Sequence, residues 1–166
     1  DPHLWTDPLA MKQIVAALSD TLETDLALDV SARAADLENR LDQLNQSIID
    51  KVNTLPQNER KLVTGHESLG YFADRYGFKL VGAIVPSLTT QAELSASELS
   101  ALKTLINENN VKAIFTELGT PPAVAESIGK ETGVKVVPVS THILPEDGSF
   151  FTFMVELSDT IVSALQ

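Results

Sequence analysis

Cysteine is absent from the 166 residues, which rules out disulfides, thiolate metal sites and cysteine nucleophiles. Basic residues are scarce: 12 Lys and Arg stand against 23 Asp and Glu, giving a formal charge of -11. That balance opposes nucleic-acid binding, which relies on cationic side chains displacing counterions from phosphates, and suits a cationic ligand better. No apolar run approaches the roughly 18 residues that span a bilayer. The sequence also lacks a G-x-G-x-x-G turn, a P-loop and a G-x-S-x-G elbow, so nucleotide binding and serine hydrolysis have no local support. It holds only three histidines, His3, His66 and His142.

What is present reads as one α/β unit preceded by helices. Asp7-Pro8 is a helix start, an N-cap followed by a proline at the first helical position, and Met11, Ile14, Val15, Leu18 and Leu22 form one apolar stripe behind it. A longer helical pattern runs from Asp29 to Leu55, with Leu37, Leu41, Leu44, Ile48 and Val52 on one side and Pro56 as its stop. At about 1.5 Å per residue it is roughly 40 Å long, the length of a strut between two lobes or of a helix flanking one sheet. Lys61 to Pro86 then reads as strand, turn, short helix and strand, with His66 at the turn and a helix over Glu67 to Tyr76.

A polar loop over Ser87 to Leu94 leads to Ser95 and Glu98, a capping box that opens a helix closed by Asn109-Asn110. Val111 to Glu117 reads as a buried strand ending in an acid. Thr120-Pro121 opens a further helix that Gly133 closes, and Lys135 to Ser140 is a fourth strand that Pro138 places at an edge or bulge. Phe150, Phe153, Met154, Leu157, Ile161 and Leu165 give the last helix its apolar face. Strands alternating with helices predict an α/β fold: a three-layer lobe with a mainly parallel four-stranded sheet flanked by helices, preceded by a long linking helix. The first thirty residues stand outside that alternation.

His66 and His142 both follow the carboxyl end of a strand and Glu117 ends another, so three ligand-type side chains face one crevice. A lone histidine is more often structural; two at equivalent strand ends shift the balance towards a metal site. A helix N-terminus beside His66 disfavours imidazolium and so favours the neutral ring that a metal needs.

The segments DPHLWTDP, the long helix, VTGHESLGYFADRYG leading into a strand and Pro-Ser, and AIFTE together resemble the metal-binding receptors of zinc and manganese ABC transporters, over the whole chain. The resemblance implies two α/β lobes joined by a rigid helix, with the ion held between them. Residues 1-28 are then a remnant of the N-terminal lobe, 29-56 the linking helix and 57-166 the C-terminal lobe, the rest of the N-terminal lobe being absent. His3 matches the histidine of the family's DPH and His66 that of its H-x-x-x-G-Y-F. The family's Asp ligand after the last strand falls in register at His142, with Asp147 its competitor.

Glu117 matches an F-x-E position, with an expected role in orienting His66, and Trp5 and Tyr71 are expected to pack. The implied function is an extracytoplasmic receptor, periplasmic or lipid-anchored, that captures Zn2+, with Mn2+ as alternative, and hands it to a membrane permease without making or breaking a bond. Imidazole ligands favour zinc. A histidine- or metal-dependent hydrolase using the same crevice is the rival reading. A homodimer through the first helix and the strut is expected of the truncated chain.

Overall fold

The computed structural model describes residues 1–85 and 95–166. Helix α1 spans Pro8–Leu26 and α2 spans Ser31–Val52; then follow β1 (Lys61–Thr64), α3 (Gly70–Tyr76), β2 (Lys79–Ala83), α4 (Ala96–Glu108), β3 (Ala113–Thr116), α5 (Pro122–Thr132), β4 (Lys135–Pro138) and α6 (Phe150–Leu165). The predicted loop over Ser87 to Leu94 and the Pro-Ser after β2 lie outside the described residues. All described strand pairs are parallel, in the order β2-β1-β3-β4. Pro138 thus sits on an edge strand, where its missing N–H costs no ladder bond.

Alternation along the central strands sorts the core into two layers. Leu62 of β1 with Ala113 and Phe115 of β3 join the cluster built by α2, α3 and α6, around Ile48, Phe72, Met154 and Ile161. Val63 and Ile114, the intervening residues, join the opposite cluster with Leu102, Ile106, Ala125 and Ile128 of α4 and α5. Successive side chains point to opposite faces, so a single strand serves both layers. The expected three-layer lobe is therefore observed.

Helix starts follow the predicted chemistry. Asp7 caps α1, its Oδ1 accepting from the Leu9 amide at 2.8 Å, with Pro8 first in the helix. Ser95 and Glu98 form the complete capping box of α4, and Gly133 closes α5. Two predicted helices are longer than the observed ones. Helix α2 covers 22 residues, about 33 Å, because the chain leaves it at Asn53 through bonds from Thr54 and Leu55 back to Lys51 and Val52, before Pro56 is reached. Helix α3 begins at Gly70, not Glu67: the Ser68 amide bonds to the His66 carbonyl at 2.8 Å in a local turn.

Helix α2 buries Leu41, Leu44, Ile48 and Val52 and packs on α1 and α6, where Arg40 lies 4.3 Å over the Phe151 ring. Of the predicted stripe on α1, Ile14 and Leu18 remain exposed.

Candidate metal centre

In a parallel sheet the carboxyl ends of all strands share one edge, and side chains leaving them meet there. His66 leaves β1, Glu117 leaves β3 and His142 follows β4 at that edge. His3 arrives from the opposite end of the chain. Three residues hold it there. The Trp5 indole Nε1 donates to the Thr141 carbonyl at 2.7 Å, tying the His3 segment to the His142 loop. Arg75 of α3 grips Asp7 with two bonds, of 2.9 and 2.8 Å. The Thr6 hydroxyl closes a tight turn on the His3 carbonyl at 3.0 Å.

The three imidazoles form a compact trio. Their ring centroids lie 5.1 to 5.2 Å apart in every pairing, and one ring nitrogen from each falls within 4.8 Å of the other two. His3 and His142 approach through their Nε2 atoms at 3.2 Å. A tetrahedral zinc ion bound by nitrogens at 2.0–2.1 Å separates its ligand atoms by about 3.3 Å, so that edge of the trio already has ligand spacing. His3 and His66 are buried, and His142 is open to solvent.

Electrostatics keep the trio neutral. The His66 pKa is pushed down to about 4, first by burial and then by the neighbouring His142 and His3. Desolvation also lowers His3, against the opposing charge of Glu117, and the ring of His142, though that residue is largely open to solvent, is lowered by partial desolvation and by His3. Neutral rings present the lone pairs that a metal takes. The predicted help from a helix N-terminus does not apply, since α3 starts four residues beyond His66; burial does that work instead.

Both ring nitrogens of His66 are buried without a hydrogen-bond partner. The Glu117 carboxylate faces this ring, its Oε2 lying 3.6 Å from Nδ1. With a neutral ring this is no ion pair, and the distance is too long for a hydrogen bond. Glu117 is itself buried, accepts from the Ser68 hydroxyl at 2.5 Å, and has its pKa raised by burial against the bonds it receives. Gly65 makes room for it: a Cβ there would collide with the Thr120 side chain and Glu117 Oε2.

Asp147 lies outside the trio. Its carboxylate accepts from the Ser149 amide at 2.9 Å and the Thr152 hydroxyl at 2.6 Å, at the start of α6. Trp5 packs edge-on against His3 and His142, as a packing residue should, while Tyr71 is 36% exposed.

The family model described as zinc-uptake complex component A, periplasmic (ZnuA), matches residues 1–164. The chain belongs to the ZnuA family. Among similar proteins, the zinc-binding protein TroA of Treponema pallidum is 28% identical over 178 residues, 99% of this chain and 57% of TroA. The manganese-binding lipoprotein MntA of Halalkalibacterium halodurans is 27% identical over 173 residues, again 99% of this chain and 57% of the relative. The solved structure of the periplasmic zinc-binding protein TroA superposes with a TM-score of 0.78 at 26% identity, over 99% of this chain and 64% of that one. The chain thus spans a little over half the length of these ZnuA-family relatives. Among the described residues no helix is long and apolar enough to cross a membrane.

Several residues that frame the trio carry no signal of their own in the sequence. Asp1 and Thr141 each touch the Nδ1 of a histidine, at 2.7 and 2.8 Å, and Arg75 fixes the entering segment. Asp1 two residues before His3, and Thr141 directly before His142, were visible only as neighbours.

Proposed function

We propose that the chain is the metal-capturing part of an extracytoplasmic receptor, in which His3, His66 and His142 bind a divalent transition metal that is then passed to an ABC-transporter permease. The observation carrying this reading is the convergence of three neutral imidazoles, two of them buried, from both ends of the chain and two strand ends. The names of its relatives, zinc-binding for TroA and manganese-binding for MntA, support the class of ion. An all-imidazole set favours zinc, because manganese prefers carboxylate and water oxygen.

Tetrahedral zinc takes four ligands, and the trio offers three of them. A periplasmic or lipid-anchored location goes with this role, as does the division into an entering segment, a linking helix and an α/β lobe. The ion is cargo, released as it was bound. A hydrolase reading gains nothing from the site: of the hydroxyls beside His66, that of Ser68 is committed to Glu117.

Calorimetry on the chain with zinc and manganese chlorides tests the proposal. One zinc ion per chain, binding tighter than manganese and losing most of its affinity in His66→Ala, is expected. Unchanged affinity in that variant would remove the site.

A further inference from the structure

We infer that Asp1 and Gly70 act as one positioning unit for His3: the space left by the missing Cβ of Gly70 seats the Asp1 carboxylate, which in turn fixes the His3 ring with Nε2 facing the other two histidines. The inference rests on the metal-site reading above and adds to it the groups that aim one ligand.

Asp1 Oδ1 accepts from the His3 amide at 2.8 Å and lies 2.7 Å from His3 Nδ1. A carboxylate only accepts, so Nδ1 carries the proton and Nε2 keeps its lone pair for the centre of the trio. Carboxylates and carbonyls commonly hold metal-binding histidines in this way, through the nitrogen that does not bind. Each histidine is served differently. His142 uses the adjacent Thr141 hydroxyl, at 2.8 Å, and His66 has no partner on either nitrogen. Only His3 takes its orientation from a carboxylate lodged against another element.

Gly70, the first residue of α3, is that lodging. Its φ is not in the left-handed region, so the backbone does not require glycine there. Space does. The three atoms nearest to a Cβ built at Gly70 all belong to Asp1: Oδ2, which it would strike, then Cγ at 3.4 Å and Cβ at 3.9 Å. The obstruction is the end of a short side chain that can rotate away. Gly70→Ala therefore keeps the fold and displaces the carboxylate, and a substitution four residues from His66 disturbs His3 instead.

The test uses the metal-free chain first. Nitrogen-15 correlation spectra of the imidazoles at one neutral pH should show His3 with Nδ1 protonated. Asp1→Ala and Gly70→Ala should both shift the His3 signals towards a tautomer mixture and leave those of His66 in place, while Asp1→Asn, which still offers an oxygen, should retain the Nδ1–H form. Zinc titration then gives a double-mutant cycle. Each single Ala variant should lose about tenfold in affinity, and the Asp1→Ala/Gly70→Ala double variant no more than either alone. Unaltered His3 signals in Gly70→Ala, or losses that multiply to about a hundredfold, would overturn the inference. A chain that binds no zinc at all would defeat the metal reading, and the His3 spectra would still decide the positioning claim.

Discussion

His3 and His142, 139 residues apart in sequence, bring their Nε2 atoms to 3.2 Å. With Nδ1 of His3 on the Asp1 carboxylate, His3 Nε2 is the acceptor, and His142 Nε2 carries the hydrogen between them. His142 Nδ1 then accepts from the Thr141 hydroxyl. In the proposed site a metal ion held through both Nε2 atoms would require the His142 proton on Nδ1, where the same Thr141 oxygen could accept it. Thr141 serves both states because a hydroxyl donates or accepts as required.

Glu117 Oε2 lies 3.6 Å from His66 Nδ1, close enough for a small shift to bring the two into hydrogen-bond range if His66 binds a metal through its other nitrogen. Glu117→Gln, which keeps the volume and loses the charge, is expected to lower zinc affinity about tenfold while leaving the fold intact. Competition with a fluorescent chelator measures this; an affinity equal to that of the unmodified chain would deny Glu117 any part in binding.

Gly65 is held by contact on both sides, with its amide bonded to the Phe115 carbonyl at 2.7 Å and no space for a Cβ beside Glu117 and Thr120. Gly65→Ala should destabilise the chain by about 1–3 kcal/mol, as overpacking of a filled site does. The midpoint of urea unfolding reads it directly. A midpoint that does not move would mean that Thr120 and Glu117 yield at no cost.

Acid should weaken the metal-free fold through His66. Its folded pKa of about 4 lies below the ordinary 6.5. Between those values the unfolded chain takes up a proton that the folded chain refuses, so stability falls as pH drops through that window and levels off beneath it. The effect amounts to at most about 3 kcal/mol. His3 and His142 act in the same direction. Urea titrations from pH 7 to 4 should lose part of this slope in His66→Gln; identical profiles would show that His66 is not held neutral by the fold.

Asp7 does two jobs, capping α1 and pairing with Arg75, and it is buried. Asp7→Ala removes the cap, worth about 1 kcal/mol, and strands the guanidinium, for a total of about 2 kcal/mol or more. Because Asp7 also anchors the segment that carries His3, zinc affinity should fall with stability. Thermal unfolding and zinc titration of this one variant would separate the effects: lost stability with full affinity would show that His3 does not depend on the anchor.

The sheet was legible in the sequence because its strands are short apolar runs between helix caps, and parallel order places His66, Glu117 and His142 at one edge. Pro138 marked the edge strand correctly. Helix limits were less legible. Glu67 to Leu69 have helical composition, but the His66–Ser68 turn and the Ser68–Glu117 bond claim those residues for the site. Helix α2 stops short of Pro56 because two turn bonds end it first. The parts that aim the imidazoles were hidden for a different reason. Asp1, Thr141 and Gly70 act through distances of a few ångströms set by tertiary packing, and no periodicity records those. The aromatic ring of Trp5 is enough to expect packing, while its bond to the Thr141 carbonyl is a fact of the folded chain alone.

The central claim is that three imidazoles from this chain hold one ion. Zinc K-edge X-ray absorption on the chain loaded with one equivalent of zinc measures this most directly. Three imidazole nitrogens at about 2.0–2.1 Å are expected, falling to two in each of His3→Ala, His66→Ala and His142→Ala. A spectrum with fewer than three imidazoles in the unmodified chain, or one that any of these substitutions leaves unchanged, would contradict the proposed site.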